Sequence, residues 1–228
     1  MSATLPLLAG AFGGVLAASA LLPLTRRSLS GALVRAGASG HDPLDTTMPT
    51  LEWLPRTVLI AVSGILPAYV LSRVGWSAVA LPPLFLLIGL IQLAYCDVTR
   101  KLLPKTMVHG LSLVLVLSGV LVAWTMHEWD RLLVAAIGGG VLYTLLLVMN
   151  LMNPRWIAFG DVRLSFAVGF GLAWISPVAL LEGFFLANAL AAVTGLALMG
   201  LRRTGRGAVV PFGLYLAIGA ALVLLTWS

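Results

Sequence analysis

The stretch that decides the fold is Leu81-Pro82-Pro83-Leu84-Phe85-Leu86-Leu87-Ile88-Gly89-Leu90-Ile91-Gln92-Leu93-Ala94-Tyr95-Cys96, followed without a break by Asp97-Val98-Thr99-Arg100-Lys101. Together with the residues just before it, this run makes an apolar span over about 77–96. About 20 apolar residues is the length needed to cross a hydrocarbon core of roughly 30 Å. Similar stretches recur on both sides, and eight spans are expected: about 3–24, 57–73, 77–96, 107–126, 132–152, 163–178, 180–200 and 211–227. The whole chain agrees. Its 228 residues are 60% hydrophobic and only 10% charged, with a mean hydropathy of +1.04. A soluble domain is about one quarter charged, so an ordinary globular core, a disordered chain and a nucleic-acid-binding tail are all excluded. The expected fold is an all-α polytopic bundle of about eight transmembrane helices, one transmembrane domain over 1–228.

Charge orients this bundle. The odd-numbered loops hold Arg26, Arg27, Arg35, Arg56, Arg100, Lys101, Lys105, Arg155, Arg163, Arg202, Arg203 and Arg206, leaving only Arg73 and Arg131 of the 14 basic residues opposite. By the positive-inside rule the odd loops are cytoplasmic and both termini lie outside. The same rule accounts for the net charge of +6 with no nucleic-acid partner. Met1 to Leu24 carries no charge, so the basic flank follows the apolar run and the segment reads as a retained first span. The longest loop, about 25–56, is rich in Gly, Ser, Asp and Pro and reads as irregular structure. The glycine runs Gly138–Gly140 and Gly169–Gly171 do not form the pair of broken helices that marks an inverted-repeat transporter. Cys96 is alone and excludes an internal disulfide. His41, His109 and His127 have no ligand at metal spacing, and no metal or other cofactor is expected.

The chain has eight acids, so each is open to inspection. Asp42, Asp45 and Glu52 fall in the long loop and Glu128 and Asp130 in a short outer one, where solvation accounts for them. Glu182 falls near the outer end of span seven. Asp97 and Asp161 remain, one closing span three and the other opening span six, both at the cytoplasmic boundary. Each has a plain structural reading. Asp161 follows Gly160 and precedes an apolar helix, as an N-cap does, and Asp97 is near enough to Arg100 or Lys101 to be neutralised. Taken together they point elsewhere. Two carboxylates brought close cannot both ionise easily, so they share a proton. The ionised member then takes a proton from a water attacking a peptide carbonyl, while the protonated member polarises that carbonyl. Gly160 leaves room for a substrate backbone beside Asp161. Pro104 would keep the chain after Asp97 from continuing as helix, leaving a partly unwound groove for a peptide.

Three motifs in order carry a family resemblance: Asp97-x6-Pro104, the Gly-Asp-x-Arg-Leu run Gly160–Leu164, and Pro211-Phe212-Gly213 entering the last span. Across roughly residues 85 to 220 the chain resembles the type IV prepilin peptidases, membrane aspartic peptidases of the GxGD type. The resemblance implies that Asp97 and Asp161 are the catalytic pair. It also implies a site in a bacterial cytoplasmic membrane, where a basic leader is removed from prepilin or pseudopilin precursors, usually after a glycine. Three departures stand out. Ala158 occupies the first glycine position of GxGD, Arg163 replaces a common lysine, and the 25–56 loop lacks the Cys-x-x-Cys pairs of members that also N-methylate the product. A peptidase without methyltransferase activity is therefore expected.

The basic residues on the cytoplasmic face have a lipid role available to them. Arg163 or Arg155 is also a candidate to receive the acidic residue that prefers to follow the cleavage site. Asn150, Asn153 and Asn188 read as packing or interfacial groups. Trp76, Trp124, Trp129, Trp174 and Trp227 fall near span ends and read as an aromatic belt. Two other functions remain open: a small proton- or cation-coupled transporter using the same two acids, and an inactive peptidase-like scaffold.

Overall fold

A computed structural model describes residues 56–74, 77–100, 105–153, 157–200 and 212–227. The described chain is helical, with no strand. Its helices are α1 (Arg56–Val74), α2 (Leu81–Arg100), α3 (Lys105–Met126), α4 (Trp129–Met152), α5 (Phe159–Ile175), α6 (Pro177–Gly200) and α7 (Phe212–Thr226), with a short 3-10 turn, Ala78–Ala80, leading into α2. Among the described residues seven of the eight expected spans are therefore present as helices; the first, about 3–24, lies outside them, as do residues 25–55 of the long loop, while Arg56 opens α1.

The helices are apolar on the outside as well as the inside. On α3, Leu113, Leu117, Leu121 and Trp124 are exposed in a row at helical spacing, and on α4 Ile137, Val141, Leu145 and Val148 form another. Phe185 on α6 is 73% exposed. A water-soluble protein rarely shows apolar patches of this extent, whereas hydrocarbon is their natural solvent. Thr106–Met126, Trp129–Met152 and Pro177–Ala197 are each long and apolar enough to cross a bilayer. Ala78–Ala94 and Phe212–Thr226 are shorter apolar helices. The chain is a multi-pass helical membrane protein.

Helix α5 is the axis of the bundle. It packs against α2, α3, α4, α6 and α7, and from Ala167 to Trp174 every residue is buried. A helix apolar all round belongs in such an interior position. Small residues let its neighbours approach. A Cβ placed on Gly169 would lie 2.8 Å from the carbonyl oxygen of Gly138 and 3.0 Å from the Cα of Gly139, so Gly138, Gly139 and Gly169 are where α4 and α5 approach most closely. Both helices pass through their glycine runs unbroken. Close backbone approach through small residues is the usual way membrane helices gain contact where no hydrophobic effect separates them from lipid. Helices α6 and α7 use the same device, with Gly219 seated on Gly183 and Ala187.

Interior polar groups mostly turn back on their own helices. Ser165 donates to the Val162 carbonyl at 2.7 Å and Ser118 to that of Leu115 at 2.9 Å, as hydroxyls do where no water is available. Between helices, the Gln92 amide nitrogen lies 3.4 Å from the Ser63 hydroxyl, and the Gln92 Oε1 atom is buried without a partner.

Two expectations change here. Trp174 is not part of an aromatic belt: it is 1% exposed, stacked near Phe170, and its indole N–H donates to the Val79 carbonyl at 2.9 Å. Its position near a span end is shared by the true surface pair, Trp124 and Trp129, which meet edge to face. The interior position of α5 makes the difference. Span six also begins at Phe159, four residues before the expected edge, so that Asp161 falls in the first turn and Arg163 just beyond it.

Candidate active site at one end of the bundle

Asp161 is the third residue of α5. The N-cap is Ala158, with extended backbone and no side-chain cap; its carbonyl accepts from the Asp161 N–H at 2.9 Å and from the Val162 N–H at 3.3 Å. The N-cap reading of Asp161 is thus replaced by a first-turn position, which the helix macrodipole favours for an acid. Unlike a typical first-turn acid it is buried, at 2% exposure, because Gly160 and Asp161 start the one helix that neighbours surround.

What covers the carboxyl is the third motif. Gly213, the second residue of α7, packs directly on Asp161: a Cβ there would lie 3.1 Å from Cγ and closer still to Oδ1. Residues 52 positions apart in sequence therefore meet through the absence of a side chain. Leu164, also buried, is the next neighbour of Gly213. The Gly-Asp run and the Pro-Phe-Gly run are two sides of one small space.

Asp97 lies on α2, three residues before its end at Arg100. The chain is still helical beyond the acid, so the unwound stretch expected directly after Asp97 is not found there. Pro104 and Arg155 lie outside the described residues. Helices α2 and α5 are antiparallel: Val79, just before α2, receives the Trp174 indole near the end of α5, and Leu86 packs on Gly171. From that contact Asp97 is eleven residues along α2, about 16 Å, and Asp161 ten residues back along α5, about 15 Å, at a rise of 1.5 Å per residue. Positions 97 and 161 count to the same level of the bundle. Eleven residues are also close to three full turns, so position 97 falls on the stripe of α2 that carries Leu86.

Arg163 is turned another way. Its guanidinium stacks over the Phe159 ring, 4.4 Å from the centroid, and Phe159 is exposed. Residues 159 and 163 share one face of α5, and 161 falls nearly opposite at the helical period. Glu182 and His109 are exposed on α6 and α3. Among the described residues no three His, Cys, Asp or Glu side chains come together as a metal site would require.

Sequence reasoning gave Asn150 only a packing or interfacial role. Its Nδ2 donates to the Ile157 carbonyl at 2.6 Å, joining the end of α4 to the segment leading into α5. A polar amide two residues from the end of an apolar helix, close to a connection, was the available signal. The direct seat of Gly213 on Asp161 was likewise not deducible from spacing, although both residues stood in the quoted motifs.

A polytopic helical bundle with a buried carboxyl at one end, capped by a glycine from another helix, is a membrane protein built around an acid. Comparison with known proteins identifies the family. Residues 84–200 match the type IV leader peptidase family, and the chain belongs to it. The chain is 29% identical over 188 residues to the prepilin leader peptidase/N-methyltransferase of Aeromonas hydrophila, covering 80% of this chain and 59% of that protein. It is 29% identical over 170 residues to the protein of the same name from Stutzerimonas stutzeri, covering 72% and 56%, and 30% identical over 173 residues to that of Aeromonas salmonicida, covering 74% and 56%. The chain thus spans less than three fifths of the length of these curated relatives. No solved structure matches it.

Proposed function

We propose that this protein is an aspartic endopeptidase that removes the basic leader of prepilin or pseudopilin precursors, with Asp97 and Asp161 as its catalytic pair. The observation that carries the reading is the buried carboxyl of Asp161 beneath Gly213, on a helix packed against α2 with position 97 at the same level. Family membership and the names of the relatives support the substrate class.

In this reading one carboxylate accepts a proton from water as the water oxygen bonds to the scissile carbonyl carbon. The partner acid donates a proton to the carbonyl oxygen. On collapse the C–N bond breaks, the leaving nitrogen takes a proton, and the pair returns to its shared-proton state. No covalent enzyme intermediate forms. A precursor helix has its carbonyls bonded within itself, so a few residues around the scissile bond unwind before attack. Gly160, half-exposed beside the acid, leaves the backbone of that segment room.

The site faces the cytoplasm in this proposal. Among the described residues, Arg56, Arg100, Lys105 and Arg163 stand at the α5 N-terminal end of their helices' alternating run, and Arg73 and Arg131 at the other, as the positive-inside rule requires. The relatives are also named N-methyltransferases. The 25–56 loop carries no cysteine, and peptidase activity alone is proposed. The test is co-expression with a prepilin-type precursor and mass measurement of the mature N-terminus. Wild type yields a trimmed, unmethylated product, and Asp97→Asn and Asp161→Asn each leave the precursor intact at normal membrane levels. Trimming by either variant refutes the dyad, and a methylated product refutes the single activity.

A further inference from the structure

The segment leading into α5 sets where Asp161 sits, and its first turn lacks the usual fastening. An N-cap side chain ordinarily accepts a bond from the first-turn N–H groups. The Ala158 side chain has no oxygen to offer, and no side-chain cap is present. The backbone before the acid needs another hold.

Asn150 is placed to supply it. It lies two residues before the end of α4, and its Nδ2 donates to the Ile157 carbonyl at 2.6 Å, across seven residues of chain. Ile157 is buried, in a setting where a carbonyl without a donor is costly. Ala158 follows it directly, and the Ala158 carbonyl accepts from the Asp161 N–H at 2.9 Å. A short chain of contacts therefore runs from the Asn150 amide to the acid. Its far end is firm, because α4 is held against α5 where Gly138 and Gly139 meet Gly169. Asn188 supplies the contrast. Its amide donates to Phe184 within α6 itself and links nothing to the site.

We infer that Asn150 is a positioning residue of the peptidase, whose side-chain amide holds the Ile157 carbonyl and so fixes the chain entering the uncapped first turn of α5, where Asp161 meets the scissile carbonyl. The inference rests on the proposed role of Asp161. Asn150 touches neither substrate nor water in the reaction; it acts through the backbone of residues 157–161. Loss of the donor lets that turn shift while the rest of the bundle, packed elsewhere on glycines and leucines, stays folded.

The experiment uses the full chain in membranes, with a prepilin-type precursor titrated to give kcat and KM separately. Four variants are compared: Asn150→Leu, of similar size without a donor; Asn150→Gln, which keeps the amide; Asn188→Leu; and Asp161→Asn. The expected result for Asn150→Leu is a fall in kcat of about ten-fold or more with KM within about two-fold, the pattern of a lost transition-state alignment. Asn150→Gln recovers a large part of the rate, Asn188→Leu is near wild type, and Asp161→Asn is inactive. Rates are normalised to folded protein, measured by detergent-solubilised melting. If Asn150→Leu does not accumulate, Asn150→Ser, whose hydroxyl is too short for the reach, replaces it under the same criteria. Wild-type kcat per folded molecule for the donor-free variant, with Asp161→Asn inactive, overturns this inference alone. An active Asp161→Asn overturns the site reading on which it rests.

Discussion

Replacing Gly213 by alanine adds one methyl group at the point where α7 meets the acid, and the structure gives the scale of the effect. The new Cβ would stand 3.1 Å from the Asp161 Cγ and nearer to Oδ1, against 3.4–4 Å for ordinary contact. Either the carboxyl moves aside by several tenths of an ångström or α7 retreats. Alanine is worth up to about 1 kcal/mol over glycine in a helix interior, less in a first turn. Overpacking a filled interior costs about 1–3 kcal/mol, and steric strain wins. If the carboxyl yields, the strain falls on the reaction, because a misplaced catalytic group loses alignment with the scissile bond. At about 1.4 kcal/mol per decade of rate, cleavage falls by about 10- to 100-fold. Gly110→Ala is the matched comparison, since a Cβ there meets nothing within 4 Å. The assay is kcat/KM for a prepilin-type precursor per folded molecule, with melting in detergent beside it. A Gly213→Ala enzyme that melts earlier but cleaves at the wild-type rate would refute the reasoning, because the strain would then lie in helix packing and not at the acid.

Three further outcomes follow from the interior. Gly169→Val, which places side-chain atoms against the Gly138 carbonyl, is expected to separate α4 from α5 and to leave little folded protein by size exclusion in detergent. Trp174→Phe keeps most of the ring packing but removes the donor to the part-buried Val79 carbonyl; a loss of about 1–2 kcal/mol is expected from the bond that is lost, read as a lowered Tm with cleavage intact. Gln92→Leu removes a buried amide whose Oε1 has no partner, so its expected effect is neutral to stabilising, by up to about 2 kcal/mol, with Ser63 free to bond its own helix.

The spans were legible because hydrocarbon imposes a length and a composition that any sequence must display. The places where the reading slipped are tertiary. Asp161 reads as an N-cap and Arg163 as a loop charge, yet the acid is sheltered beneath Gly213 and the guanidinium lies along an aromatic ring on the other face of α5. Polarity therefore did not mark the helix boundary. Trp174 reads as interfacial by its distance from a span end, but five helices surround α5, a fact absent from any local window. The glycine runs gave no sign of being each other's partners, because close approach depends on which helices are neighbours. Of the candidate site, the residue types and motif order were readable, since catalysis by paired carboxylates needs those groups. The seat of Gly213 and the reach of Asn150 were not, since both arise from contacts between helices that the linear order does not reveal.

The most direct measurement joins the two acid positions covalently. With Cys96→Ser removing the native thiol, the double variant Asp97→Cys and Asp161→Cys is treated in native membranes with a short bifunctional thiol reagent, and protein cut between α2 and α5 is examined under reducing conditions. Fragments that remain linked, with no linkage when one cysteine is moved to position 73 at the far end of α1, are the predicted result. Fragments that separate freely at every spacer length within reach of a shared proton would contradict the pairing.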